Sequence, residues 1–260
     1  MTRTEAQFHS CSVSEGVATV RLERPERLNA LHPPAHWALA ATFDALAARD
    51  DLRVVIVTGV GRAFCAGYDI KDSIERGTME IPSTGFGGLT NRKDFPHPLI
   101  AAVNGPALGG GFEIALACDL VLASADASFA LPEPKIGWAA LAGGVQRLPR
   151  AIGIKRALGI ILTGRTVGAE EAVSLGFAHA VTAPEALMEE ARALALEISA
   201  CAPLAVRCSR DIAYRSMDMA DAAMLDMANF ASVAALLASE DSREGRTAFV
   251  EGRSPAWRGC

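Results

Sequence analysis

Two glutamates, each set in apolar sequence, are the side chains best placed to do chemistry. Glu113 lies in "GGGFEIALACDL" and Glu133 in "LPEPKIGW". A carboxylate in a low-dielectric setting costs free energy unless it is paired, protonated or put to use. Two such carboxyls in one pocket split their protonation states, so that one donates a proton and the other accepts it. Taken singly, each is equally open to a surface or capping role. Two glycine-rich stretches hold the other candidate chemistry. "GRAFCAGYDI" (Gly61–Ile70) and "NGPALGGG" (Asn104–Gly111) carry few reactive side chains, so their chemistry belongs to the backbone. Glycine lets a chain turn sharply and approach a ligand closely. Two such loops could each aim one peptide N–H at the same oxygen, the arrangement of an oxyanion hole. A helix opened by the second loop would add its N-terminal partial positive charge. Two tight structural turns are the alternative reading.

Other chemistries fail on the residues. Gly59 and Gly61 begin a G-x-G, but Phe64 stands where a dinucleotide fingerprint needs its third glycine. "GPALGGG" lacks the Lys-Ser/Thr of a nucleotide loop, and no G-x-S-x-G elbow is present. His32 and His36 have the spacing of a zinc pair, but Pro33 and Pro34 separate them and no glutamate follows His32. No metal site is expected. The six scattered cysteines read as free thiols in a reducing compartment, which points to the cytoplasm. A formal charge of −5 argues against nucleic acid as a partner. No apolar run has the length of a membrane span, so no membrane partner is expected either.

The elements that must position these residues alternate along the first part of the chain. Val17–Leu22, Val54–Val57 and Leu99–Val103 read as strands, and Ala35–Ala48 as a helix. Both glycine loops leave apolar strands, so they are expected side by side at one sheet edge. Gly77–Pro98, rich in Gly, Pro, Ser and Thr, reads as a mobile functional cover. A helix should follow the second loop to about Ala117, then a strand at Leu120–Leu122. Beyond Gly143 the pattern is helical apart from a strand near Ala178–Val181. Ala220–Leu237 carries one apolar stripe, a core or subunit-interface pattern, and Ser239 should cap a fresh helix. The expected organisation is an α/β core over residues 1–197 and an all-helical region over 198–260.

"AFCAGYDI", "IAAVNGPALGGGFEIALACDL" and "ASFALPEPKIGW…AGGVQRL" resemble the three signature blocks of the crotonase, or enoyl-CoA hydratase/isomerase, superfamily. "RLERPERLNAL" and "SREGRTAFVEGRSPAWRG" are similar to its flanking motifs, so the likeness spans nearly the whole chain in order. The resemblance implies an α/β fold built as a spiral of ββα turns. It also implies a C-terminal helical trimerisation region, with assembly as a homotrimer or hexamer. The substrate would be an acyl-CoA thioester, with no cofactor beyond the coenzyme A that the substrate itself carries.

The same resemblance assigns the oxyanion N–H groups to Tyr68 and Gly110. Leu28, Ala30, Ala66, Asp69, Ile70 and Lys71 would line the CoA nucleotide, with Lys71 a candidate for a phosphate. Hydratases of the family resemble this chain in having both glutamates, whereas many isomerases keep only the second. Glu113 would then activate a water and Glu133 deliver a proton to C2 of a 2-enoyl thioester. One departure stands out. "GWAALAGG" replaces a family pattern like G-L-x-P-G-A-G-G, which puts Leu141 where a glycine commonly lies near the attacking water, with Trp138 adding bulk. A branched or aromatic enoyl chain is as compatible with this as crotonyl. The alternatives are an enoyl-CoA isomerase or another CoA-thioester lyase of the superfamily, and a non-catalytic acyl-CoA- or RNA-binding member.

Overall fold

The apolar runs become the strands of a six-stranded sheet in the computed structural model, which describes residues 8–77 and 80–260. β1 (His9–Ser14) and β2 (Val17–Leu22) form an antiparallel hairpin. After α1 (Pro33–Ala47), β3 (Val54–Gly59) pairs parallel with β2. The short α2 (Ile70–Arg76) follows, and β4 (Leu99–Val103) pairs parallel with β3. The chain then forms β5 (Pro106–Leu108), α3 (Gly110–Ala117), β6 (Leu120–Ser124) and β7 (Ser128–Ala130). Next come α4 (Gly144–Ile152), α5 (Ile154–Ile161), β8 (Val167–Gly168), α6 (Ala169–Leu175) and β9 (Ala180–Thr182). The large sheet has the order β1-β2-β3-β4-β6-β9, and β5, β7 and β8 form a second, smaller sheet.

β3 and β4 read as unbroken apolar runs because both faces are covered. Val55, Val57, Ala101 and Val103 face the main core with Phe43, Phe64 and Phe112. Val54, Ile56, Ile100 and Ala102 face Leu187, Ala191 and Ala195, one stripe of α7 (Leu187–Ser199). Parallel pairing has a consequence for the site. It delivers the ends of β3 and β4, and with them both glycine loops, to the same edge of the sheet.

Two expectations are corrected. Gly77–Pro98 is packed rather than mobile over its described residues; Thr78 and Met79 lie outside them. Phe86, Leu89, Thr90 and Phe95 are buried, and a tight turn at Phe86–Gly88 presses on α1. A Cβ on Gly88 would stand 2.4 Å from the Ala40 nitrogen, so only glycine allows that approach. Ala220–Leu237 is not one helix. It breaks into α9 (Asp221–Met224), a 3₁₀ turn at Met227–Asn229 and α10 (Ala231–Ala238). Local polar bonds cause the break: the Asp226 carboxylate accepts from Ala228 N at 3.0 Å, and the Asn229 amide donates to Ala223 O at 2.9 Å. Ser239 does cap the last helix, α11 (Glu240–Glu251), accepting from Ser242 N at 3.0 Å. Between α7 and α9, α8 (Pro203–Ser216) anchors the helical region to the core, its Arg210 and Tyr214 meeting Asp119 at 2.7 and 2.8 Å.

Candidate active site

The first glycine loop is held from outside by the segment before α1. Asn29 is fully buried, with φ at 57°. Its amide donates to Val60 O at 2.9 Å and Ala63 O at 2.8 Å, and its Oδ1 accepts from Arg24 N at 2.8 Å. Ala66 N donates to Leu28 O at 2.9 Å, Leu31 N to Gly67 O at 2.8 Å, and Asp69 N to Leu31 O at 2.8 Å. The Arg24 guanidinium pairs with Asp69 at 3.1 Å and also donates to Ala30 O. These bonds use the Gly67 carbonyl and the Asp69 N–H, on either side of Tyr68. The Tyr68 N–H itself has no acceptor among the described residues.

The second loop lies directly against the first. Phe64 N and Cys65 N donate to Pro106 O at 3.1 and 3.2 Å, and Leu108 N to Cys65 O at 2.9 Å. A Cβ on Gly67, where φ is +90°, would meet Leu108 O at 2.7 Å and Gly110 N at 3.1 Å. One on Gly111 would meet Cys65 O at 2.0 Å. Side chains at either position would force the loops apart. Gly110 is the first residue of α3, so its N–H has no partner within the helix, and none is found elsewhere among the described residues. Two unpaired amides therefore stand on adjoining backbone segments.

Both glutamates close on the same place. Glu113, in the first turn of α3, is buried, and its Oε1 accepts from Gly144 N at 2.9 Å. Burial pushes its carboxyl up to about 7; the Gly144 N–H opposes the rise and the charge of Glu133 adds to it. Glu133 opens a 3₁₀ turn (Glu133–Ile136) just after β7 and is also buried. Burial raises its carboxyl too, and its Oε2 has no hydrogen-bond partner among the described residues. The other oxygen lies 2.6 Å from where a Cβ on Gly109 would sit. Gly109 N is fixed by Ala130 O at 2.9 Å, which ties β7 to the loop. Two buried carboxyls with raised proton affinity thus sit around Gly109 and Gly110, beside two free amides. Such a site can move a proton onto or off a carbon next to a carbonyl while the N–H groups hold the oxygen.

The sequence pattern described as enoyl-CoA hydratase/isomerase matches residues 12–260. The chain belongs to this family. It is 40% identical over 254 residues to a carnitinyl-CoA dehydratase of Salmonella arizonae, covering 94% of this chain and 95% of that one. A mevalonyl-coenzyme A hydratase of Beauveria bassiana is 40% identical over 256 residues, covering 93% and 91%. An (E)-benzylidenesuccinyl-CoA hydratase of Thauera aromatica is 40% identical over 259 residues, covering 95% and 98%. The crystal structure of an enoyl-CoA hydratase from Mycobacterium tuberculosis superposes with a TM-score of 0.92 at 35% identity, covering 97% of this chain and 99% of that one. The fold is the crotonase fold.

Within this family member, the other expected site residues fall into four groups. Leu28, Ala30 and Ala66 line up through the backbone bonds above. Asp69 is turned inward: its carboxylate serves Arg24 and caps α2 by accepting from Asp72 N at 3.3 Å. Ile70 and Lys71 open α2 and are exposed. Trp138 and Leu141 are exposed as well, in the connection that leads to Gly144, whose N–H bonds Glu113. Sequence reasoning missed the residues that hold these groups. Arg24 and Asn29 lie inside the quoted "RLERPERLNAL", but their bonds span dozens of residues. Phe86 gave no local signal, His36 signalled only a zinc spacing, and Gly144 appeared only inside the quoted "AGGVQRL". His36 does not act with His32 as a free pair, since its Nδ1 accepts from Gly87 N at 2.9 Å.

Proposed function

We propose that the chain is a 2-enoyl-CoA hydratase, adding water reversibly across the C2=C3 bond of an enoyl-CoA thioester. The observation that carries this is the placing of two buried carboxyls with raised proton affinity around Gly109 and Gly110. The thioester oxygen would take hydrogen bonds from the Tyr68 and Gly110 N–H groups, which stabilise it as an enolate forms. Glu113, held by Gly144, removes a proton from the attacking water as its oxygen bonds to C3. Glu133 delivers its proton to C2. Dehydration runs the same steps backwards, with Glu133 taking the C2 proton and Glu113 protonating the leaving hydroxide.

Lys71, exposed at the start of α2, would meet a phosphate of the nucleotide. The acyl group is a functionalised one, in keeping with relatives named for carnitinyl, mevalonyl and benzylidenesuccinyl thioesters. The test is a small panel of 2-enoyl-CoA thioesters followed by loss of enone absorbance. Turnover of at least one, reversed from the 3-hydroxyacyl product, is the expected result. Double-bond migration without hydration would replace the reading with an isomerase.

A further inference from the structure

We infer that the Tyr68 hydroxyl and the His36 Nε2–H together recognise a neutral oxygen on the acyl chain, a hydroxyl above all, several bonds beyond the carbons that react. This rests on the hydratase reading for where the thioester lies, and it names the substrate class of that site. The starting point is an unmet donor. His36 is 0% exposed, and its Nδ1 accepts from the Gly87 N–H at 2.9 Å. A ring nitrogen that accepts has no proton, so in the neutral ring the proton sits on Nε2. Burial pushes the His36 imidazole down to about 3, so the ring is neutral at ordinary pH. Among the described residues that Nε2–H has no hydrogen-bond partner, and neither has the buried Tyr68 hydroxyl. Its nearest aromatic neighbour, Phe86, stands edge to face at 4.5 Å between ring centres and offers only a weak π acceptor. Buried donors left unpaired are costly and rare in folded proteins.

Placement says what satisfies them. The Tyr68 ring lies 5.6 Å from His36 and 6.2 Å from Phe86, centre to centre. The Phe86 ring in turn covers Gly110 so closely that a Cβ there would meet it at 2.4 Å. Tyr68 also follows Gly67, which adjoins the Gly110 amide. The two unmet groups therefore belong to rings packed beside the amides proposed to hold the thioester. A tyrosine side chain starting at the oxyanion residue carries its hydroxyl along the acyl chain, past C3. Charge narrows the class. Asp72, Glu80 and Asp69 all act on the Tyr68 hydroxyl as negative neighbours, opposed by Arg76 alone. A carboxylate is disfavoured there, a quaternary ammonium brings no acceptor, and an alkyl chain leaves both donors unpaired. A hydroxyl meets both needs, accepting from Nε2–H and exchanging with the tyrosine.

Saturated thioesters test this without turnover. Titration calorimetry would compare 5-hydroxypentanoyl-CoA with hexanoyl-CoA, in which a methyl replaces the hydroxyl, and with glutaryl-CoA. The wild-type protein should bind the hydroxy thioester about tenfold more tightly than either of the others. Tyr68→Phe and His36→Leu should bring the hydroxy-to-alkyl ratio close to one, and His36→Gln, which keeps a donor, should retain part of it. Each ratio is internal to one variant, and if His36→Leu fails to fold, Tyr68→Phe decides. A wild-type preference for hexanoyl- or glutaryl-CoA overturns the inference, as does a ratio that Tyr68→Phe leaves unchanged. The hydratase reading fails separately, when no enoyl thioester is hydrated although these ligands bind.

Discussion

The Glu113 carboxylate accepts the Gly144 N–H at 2.9 Å, and this bond joins the helix of the second glycine loop to the segment carrying Leu141. The backbone N–H groups of Gly144 and Ala142 only partly offset burial, so the carboxyl holds its proton up to about 7 against an ordinary value of 4.5. Between those values the folded chain carries more of this proton than the unfolded chain does. Stability must therefore fall as pH rises through that window and stay lower above it. Glu113→Gln keeps an acceptor for Gly144 and cannot ionise. Relative to wild type it should gain up to about 3 kcal/mol on going from pH 5 to pH 8, read from urea midpoints. Equal pH slopes for the two proteins would show that the carboxyl is not buried as described.

Gly109 should tolerate no side chain. Its φ is +52°, and a Cβ would press on Glu133 Oε1 at 2.6 Å. Gly109→Ala should cost about 1–3 kcal/mol of stability through backbone strain. It should also cut kcat by at least about tenfold, because the displaced carboxyl is the proposed proton donor. A fully active, fully stable variant would place Glu133 elsewhere.

The sequence revealed the parts of this site that depend on local pattern. β3 and β4 were legible because strands covered on both faces are apolar throughout, and their shared direction brought the two loops together as expected. What stayed hidden is long-range. Composition made Gly77–Pro98 look loose, yet Phe86 is buried because it docks on Gly110 and His36, which lie far away in the chain. Asp69 looked ligand-facing until Arg24, 45 positions earlier, took its carboxylate. β1 escaped notice because "HSCSVS" lies at the sheet edge, half exposed and mostly polar. The stripe over Ala220–Leu237 looked like one helix face, but Asp226 and Asn229 cut the segment into separate short elements.

Exposed apolar side chains of the helical region still bear on assembly. Leu225, Leu237, Phe249 and Val250 are 73%, 68%, 87% and 85% exposed, more apolar surface than a lone helical region leaves to water. A trimer, or a dimer of trimers, is the closed arrangement that would cover it. Light scattering at micromolar concentration should report one of these masses. Phe249→Glu with Val250→Glu should shift it toward the monomer. A wild-type monomer at that concentration would end the proposal.

The two-carboxylate mechanism makes the sharpest kinetic demand. If Glu113 moves the proton of the water and Glu133 the proton at C2, hydration needs both, and neither substitutes for the other. A general acid or base contributes on the order of 10²–10⁴-fold. Glu113→Gln and Glu133→Gln should each lower kcat by about that much while binding of an unreactive acyl-CoA changes little. Once either group is gone the concerted proton transfer is already lost, so the double variant should fall by far less than the product of the two. Exchange of the C2 proton with solvent should depend chiefly on Glu133, the only one of the pair that touches carbon-bound hydrogen. Its unpartnered Oε2 leaves it free for that contact, whereas Glu113 spends one oxygen on Gly144. Wild-type hydration by Glu113→Gln, beside a dead Glu133→Gln, would refute the shared mechanism and leave a single-base isomerase in its place.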